Sequence, residues 1–331
     1  MSSALVAVVV IALIFDYTNG FHDAANAVAT AISTRAVPPN LALFGAAVLN
    51  VVGALISTSV AATLAKGIVV PTSVTAPVIL GGLIGAIAWN LLTWWWAIPN
   101  SSSHCLIGGV AGAVLATRGA GDVLWKGIID KVLIPTVAAP LIGFAGGIAI
   151  MFALLWIFRN AYPGKLNRRF RVAQTASASL MAFSHGSNDA QKTMGVITLA
   201  LFTGGFLPTL SVPLWVKLAS ATAMGIGTYA GGKKIIRTLG MRLVKLSPVQ
   251  GFAAETASSA VLLGTAHLGF PVSTTHVITA SVMGVGATQR LSAVKWGLSF
   301  NIFIAWIITL PAAGVIGALC AKAMVALAGH G

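Results

Sequence analysis

The chain has 331 residues, of which 57% are hydrophobic and only 8% charged, against roughly 25% charged in an average soluble domain; so few charges cannot dress a water-facing surface, and the composition is that of a protein embedded in lipid. The formal charge of +14 does not point to nucleic acid, because the basic residues gather in short segments between long apolar runs, as cytoplasmic loops do. Cys105 and Cys320 sit in apolar sequence with no paired spacing, which excludes a disulfide framework or a zinc finger.

Residues 4–15 form an apolar run with no basic region before it and no AxA pattern after it, so it reads as a retained span rather than a removable signal. At 1.5 Å per residue a crossing needs about 20 residues, and apolar stretches of that order run over 4–32, 40–63, 78–97, 132–158, 174–206, 211–230, 249–266 and 297–327. Two shorter runs, 103–117 and 277–289, each follow a proline and a polar cluster, which makes 78–117 and 249–289 hairpins, re-entrant or fully spanning. The expected fold is an all-α integral membrane protein: a multi-spanning helical transporter with two inverted repeats, broken helices and two hairpins.

Charge fixes the orientation. Arg159, Lys165, Arg168, Arg169 and Arg171 form one basic cluster, and Lys233, Lys234, Arg237, Arg242 and Lys245 a second, both expected in the cytoplasm. Two crossings separate them, as that assignment requires. Continuing outward in both directions puts Met1 and the C-terminus outside, so the first half starts outside and the second inside. Lys66, Arg118, Lys126, Lys131, Lys217 and Lys322 fall on the outer side, with Asp122 and Asp130 beside three of them; the inner excess survives. The expected division is a first repeat over 1–158, a basic cytoplasmic linker over 159–172 and a second repeat over 173–331.

Two motifs support that division. Gly20-Phe21-His22-Asp23-Ala24 recurs 166 residues later as Gly186-Ser187-Asn188-Asp189-Ala190, and the tip Pro99-Asn100-Ser101-Ser102-Ser103-His104 recurs 172 residues later as Pro271-Val272-Ser273-Thr274-Thr275-His276. Both copies come in the same order, which chance rarely produces.

The first motif is a polar island inside an apolar span, expected as a break over 15–26 in one copy and 183–193 in the other, where glycine lets the helix open. A carboxylate at membrane depth costs from about 2.5 kcal/mol upward and normally faces a partner or a wet cavity, so Asp23 and Asp189 are candidate site acids, with Gln191 and Lys192 beside the second. The plainer alternative pairs Asp23 with Lys192 and Asp189 with a hydroxyl, for helix packing alone. Asp16, nearer the membrane face, is equally well explained as a helix-end residue.

In the tips a proline and three residues rich in hydroxyls precede a Gly- and Ala-rich helix. A helix N-terminus offers free N–H groups and a partial positive charge to an anion, and Ser101, Ser102, Ser103, Ser273, Thr274 and Thr275 add donors without adding negative charge. That suits a tetrahedral oxyanion; the alternative is that these residues are N-caps. Gly108, Gly109 and Gly112, with Ala280, Gly284 and Gly286, allow close helix packing. An acid near a bound oxyanion needs a positive charge between them, so Asp23 and Asp189 imply a coupling cation, Na+, H+ or a divalent metal, or Lys192 itself. His22, His104, His185 and His276 are either proton carriers or structural, and no HxxxH or HExxH spacing suggests zinc. Glu255, the one glutamate, is either an interfacial partner of Lys245 or Arg242 or a third intramembrane acid, with Asn50 its weak analogue in the first half. Trp94-Trp95-Trp96 reads as an interfacial belt.

On these residues, TNGFHDAANAVAT from Thr18, FSHGSNDAQKTMG from Phe183 and the tips PNSSSH and PVSTTH, the chain resembles the inorganic phosphate transporter (PiT) family over nearly its whole length, and above all its short bacterial members. The resemblance implies a symporter of inorganic phosphate driven by Na+ or H+, with no other cofactor, about twelve membrane segments with two hairpins, a homodimer in the inner membrane, and no enzymatic activity. It carries site roles to Asp23, Asn26, Asn188, Asp189, the Ser/Thr of both tips and Glu255. The phosphate set expected is Ser101, Ser102, Ser103, Ser273, Thr274, Thr275, Asn26, Asn188 and Lys192; the cation-coupling set is Asp23, Asp189, Asn26, Gln191, Glu255, His104 and His276, with Asp23 and Asp189 holding the ion if it is sodium. Where animal members place a second glutamate this chain has Asn50, a departure that bears on coupling. Sulfate is the rival oxyanion and an intramembrane hydrolase the rival class.

Overall fold

A computed structural model describes residues 2–328; the expected outer placement of Met1 and of the C-terminal residues 329–331 concerns positions outside the described residues. The described residues fold into helices: α1 (Ser3–Ser33), α2 (Pro39–Ala54), α3 (Ser59–Gly67), α4 (Ala76–Trp95), α5 (Ser102–Arg118), α6 (Trp125–Ile128), α7 (Ile134–Ile157), α8 (Pro163–Thr203), α9 (Leu214–Ala230), α10 (Lys233–Arg237), α11 (Pro248–His267), α12 (Thr274–Ala287) and α13 (Trp296–Ala328). Their starts are written in the sequence. Ser2, Ser101 and Ser273 cap α1, α5 and α12 with their side chains, proline stands in the first turn of α2, α4, α8 and α11, and Ser247 with Gln250 closes a reciprocal cap on α11.

Among the described residues, four helical stretches are long and apolar enough to cross a membrane: Ser3–Ser33, Ala76–Trp95, Trp125–Ile157 and Trp296–Leu327. The third runs from α6 through a π-helical turn at Ile129–Leu133 into α7. The expected span 40–63 is a bent pair, α2 and α3 meeting at 66°. The hairpins are present, and their second arms, α5 and α12, are buried among other helices. At 14 residues α12 is about 21 Å long, short of the ~30 Å hydrocarbon core.

One expectation is corrected, and two basic segments take on structure. The islands at 15–26 and 183–193 do not break their helices: α1 and α8 run through them as continuous α-helix. Backbone groups away from water must bond internally, and the polar side chains there bond sideways instead of opening the turn. Gly20 and Gly186 serve close approach: a Cβ on Gly20 would strike the Met224 carbonyl of α9, and one on Gly186 the backbone at Asn50 of α2. The basic segment 159–172 is largely helical, because α8 starts at Pro163 and its 41 residues span about 60 Å, twice the ~30 Å of a hydrocarbon core. The basic segment 231–247 contains α10, with Ile235 and Ile236 buried, and a π-helical turn at Thr238–Leu243, with Leu239 and Leu243 buried.

The apolar interior is two cores rather than one. The first takes Leu5 to Phe15 of α1, then α3, α4, α5, α9 and the stretch of α8 from Ala190 to Leu201. The second takes Ala24 to Ala29 of α1, then α2, α11, α12 and the stretch of α8 from Phe170 to Ala182. Between Phe15 and Ala24 on α1, and between Ala182 and Ala190 on α8, lie the two polar islands. α1 and α8 pack on each other and cross from one core into the other, so a polar seam forms where the cores meet.

Candidate functional site

The seam gathers both islands and both hairpin tips. Position 26 in the first motif corresponds to position 192 in the second, and each reaches across to the other copy's tip. The Asn26 amide donates to Thr274 Oγ1 at 3.1 Å and Thr275 Oγ1 at 2.8 Å. Lys192 Nζ donates to Ser103 Oγ, to the Val272 carbonyl at 3.1 Å and to Asp189. Asp189 also accepts from Thr274 Oγ1 at 3.0 Å, and Ser103 donates to the Val272 carbonyl at 3.3 Å. Two helix N-termini, α5 and α12, therefore converge on one lysine–carboxylate pair.

All of it is out of water: Asp23 is 2% exposed, Lys192 and Asp189 1%. Two apolar clefts, about 370 Å³ between α2 and α9 and about 250 Å³ beside α1, α2 and α8, are lined by none of the seam's charged or tip residues. The conformation is occluded.

Most of the expected residues lie in the seam, but in different roles. Ser101 and Ser273 cap their own helices, accepting from His104 N at 3.1 Å and His276 N at 3.3 Å. Ser102 donates to Asn90 Oδ1 at 3.1 Å. Asn188 donates weakly to the Phe270 carbonyl at 3.5 Å and keeps a buried Oδ1 without a partner. Gln191 is engaged elsewhere: its Oε1 accepts from the amides of Val60 at 2.9 Å and Ala61 at 3.3 Å, satisfying the first turn of α3. The histidines of the tips turn to helices that pack over them: His104 Nε2 meets Thr136 Oγ1 of α7 at 2.8 Å, His276 stacks on Trp306 of α13 at 3.9 Å, and the two rings lie edge to face at 5.0 Å. Neither has a hydrogen bond to Asp23 or Asp189.

The plainer pairing of Asp23 with Lys192 is not what forms. Asp23 pairs with His22 Nδ1 at 2.7 Å, and Lys192 pairs with Asp189. Glu255 makes no ion pair with Lys245 or Arg242; it is wholly buried and accepts from Thr30 at 2.5 Å, Gln174 at 3.0 Å and Ser177. It anchors its own polar cluster, about one helical turn along α1 from Asn26.

One residue gains a role that sequence reasoning left open. Asp23, Asp189 and His185 bring ligand atoms within 4.8 Å of one another. The proton on His185 follows from a chain of bonds. Thr228 donates to the Met224 carbonyl at 2.9 Å and so accepts from Asn50 Nδ2 at 2.9 Å; Asn50 Oδ1 then faces His185 Nδ1 at 3.1 Å, which must carry a hydrogen. That leaves Nε2 toward Asp189 Oδ2 at 3.2 Å, two electron-rich atoms that need a proton or a cation between them. Asn50, the family's departure point, thus orients His185. Of the two readings open for Asp16, the helix-end one does not hold: it lies within α1 and is 0% exposed.

A family model described as the phosphate transporter family matches residues 19–317, which include every candidate residue above except Asp16. The chain is 48% identical to a probable low-affinity inorganic phosphate transporter of Mycobacterium bovis over 95% of this chain and 76% of that protein. Counterparts of the same description are 47% identical in Rhizobium meliloti, over 96% and 95% of the two chains, and 45% identical in Bacillus subtilis, over 94% of each. A solved structure described as the sodium-dependent phosphate transporter matches with a TM-score of 0.89 at 24% identity, covering 97% of this chain and 98% of that one; at that identity the likeness is one of fold.

Proposed function

Because the chain belongs to the phosphate transporter family, we propose that it carries inorganic phosphate across a bacterial inner membrane as a cation-coupled symporter working by alternating access. Relatives and fold are those of phosphate transporters, not of a hydrolase. The observation that carries the reading is the Lys192–Asp189 pair held between Ser103 and Thr274 where two helix N-termini meet.

That site has what a phosphate needs: an ammonium, hydroxyl donors and the free amides of two first turns. It also holds acceptors, among them Asp189, the Val272 carbonyl and Asn188 Oδ1, which bond well only to an oxyanion still carrying a proton. Phosphate does so near neutral pH and sulfate does not, which favours phosphate. Coupling follows from charge. A carboxylate about 4 Å from a phosphate charge repels it by roughly 4 kcal/mol at an effective dielectric of ~20. Lys192 offsets Asp189, while Asp23, paired with the His22 ring, stands with His185 and Asp189 as the seat of a cation, Na+ or H+.

The repeat organisation belongs to the same proposal. Element for element, α1 answers α8, α4 and α5 answer α11 and α12, and α6 with α7 answers α13, with Trp125 and Trp296 at the head of the last pair each bonding a carbonyl five residues back. Inverted copies meeting at a midplane site are the usual plan for alternating access. The basic clusters favour an orientation with both termini outside, and a homodimer is the expected assembly.

The test is uptake of labelled phosphate into proteoliposomes under an imposed sodium or proton gradient, with arsenate and sulfate as competitors. Accumulation above equilibrium, blocked by arsenate and untouched by sulfate, is expected. Equal uptake with no gradient overturns symport in favour of a channel.

A further inference from the structure

The seam continues outside the phosphate site into a second buried polar cluster that the transport reading leaves unused. Asp16 is fully buried and neither carboxylate oxygen has a protein hydrogen-bond partner. The hydroxyls of Thr193 on α8 and Ser220 on α9 lie within reach of it, neither at full hydrogen-bond geometry. Asn19, three residues on and so on the same face of α1, is 1% exposed with both amide atoms unpartnered. Three helices that pack on one another, α1, α8 and α9, thus aim polar side chains at one another without satisfying them.

A buried ionised carboxylate with no partner is costly, and three further orphaned polar groups beside it make the arrangement costlier still. The oxygens supply the remedy. Two from Asp16 and one each from Asn19, Thr193 and Ser220 would make a hard, all-oxygen set carrying a single negative charge, which balances one monovalent ion; calcium and magnesium sites usually bring several carboxylates or waters.

We propose that Asp16, Asn19, Thr193 and Ser220 form a sodium-binding site distinct from the Asp23–His185–Asp189 cluster. An ion there lies within electrostatic reach of Asp189 and Lys192, so its occupancy biases the charge balance of the phosphate site without touching phosphate. The site stands on its own geometry and does not require the substrate to be phosphate.

Binding of radioactive sodium to the purified full-length chain, measured without phosphate, decides it. Wild type is expected to bind one more ion per chain than Asp16→Asn, and Thr193→Val and Ser220→Ala to weaken sodium binding about tenfold. In the Asp23→Asn/Asp189→Asn variant one sodium should remain, and adding Asp16→Asn should remove it. An unchanged sodium count in Asp16→Asn overturns the site, as does an absence of sodium binding by wild type, which would leave Asp16 a carrier of a proton only. Should Asp16→Asn fail to fold, the sodium affinities of Thr193→Val and Ser220→Ala decide alone: values equal to wild type overturn the site. Phosphate binding, measured separately on the same samples, distinguishes failure of this site from failure of the phosphate reading.

Discussion

Lys192 is the residue on which the seam's chemistry turns. Removing one partner of a buried pair leaves an uncompensated charge at a cost of about 3–5 kcal/mol, whereas replacing both with apolar groups can be neutral. Asp189→Asn is therefore expected to lower the thermal midpoint in detergent and abolish transport. Lys192→Met/Asp189→Leu should recover most of the stability and none of the transport, and recovered transport would show the pair to be structural. Glu255 predicts the opposite pattern. Its partners Thr30, Gln174 and Ser177 touch none of the Lys192 contacts, so Glu255→Gln should change calorimetric phosphate affinity by no more than about twofold; loss of binding would join the two clusters. At this scale the sequence exposed most of the residues that the seam gathers, because acids and hydroxyls inside apolar runs are conspicuous. It did not expose who pairs with whom: Asp23 and Lys192 carry the right charges, but partners set by crossing helices are not visible in linear order.

Among the elements, the helices that hold the islands owe their placement to glycine. Gly20 and Gly186 lie against backbone of α9 and α2, where any Cβ collides, while Gly45 of α2 has nothing within 4 Å of the same position. Gly20→Ala and Gly186→Ala should each cost about 1–3 kcal/mol by overpacking. Gly45→Ala should cost nothing and gain up to about 1 kcal/mol from helix propensity; thermal melts of the three variants compare them directly, and equal melting would remove the close-approach argument. Helix positions were legible from proline, serine caps and apolar runs, down to the hairpins at 78–117 and 249–289. The continuity of α1 and α8 was not. A glycine in a polar island reads equally as a hinge or as a contact point, and only the neighbouring helix decides between them.

For the molecule as a whole, two cores joined by a polar seam leave the site sealed from both faces, and the proposed transport cycle requires each face to open in turn. The antiparallel plan has its own check. Single cysteines introduced as Lys165→Cys and Lys245→Cys should label from the same, cytoplasmic side; labelling from opposite sides would end the two-copy arrangement. The basic clusters are what the proposed orientation rests on, whereas the closure of the seam depends on how side chains pack over one another and leaves no mark in composition. The most direct measurement uses Thr275→Cys in a chain carrying Cys105→Ala and Cys320→Ala, probed with a membrane-impermeant thiol reagent applied to one face and then the other. Alternating access predicts reaction from both faces, slowed together by phosphate plus the coupling cation. Reaction from one face only, unchanged by phosphate under any gradient, would contradict it.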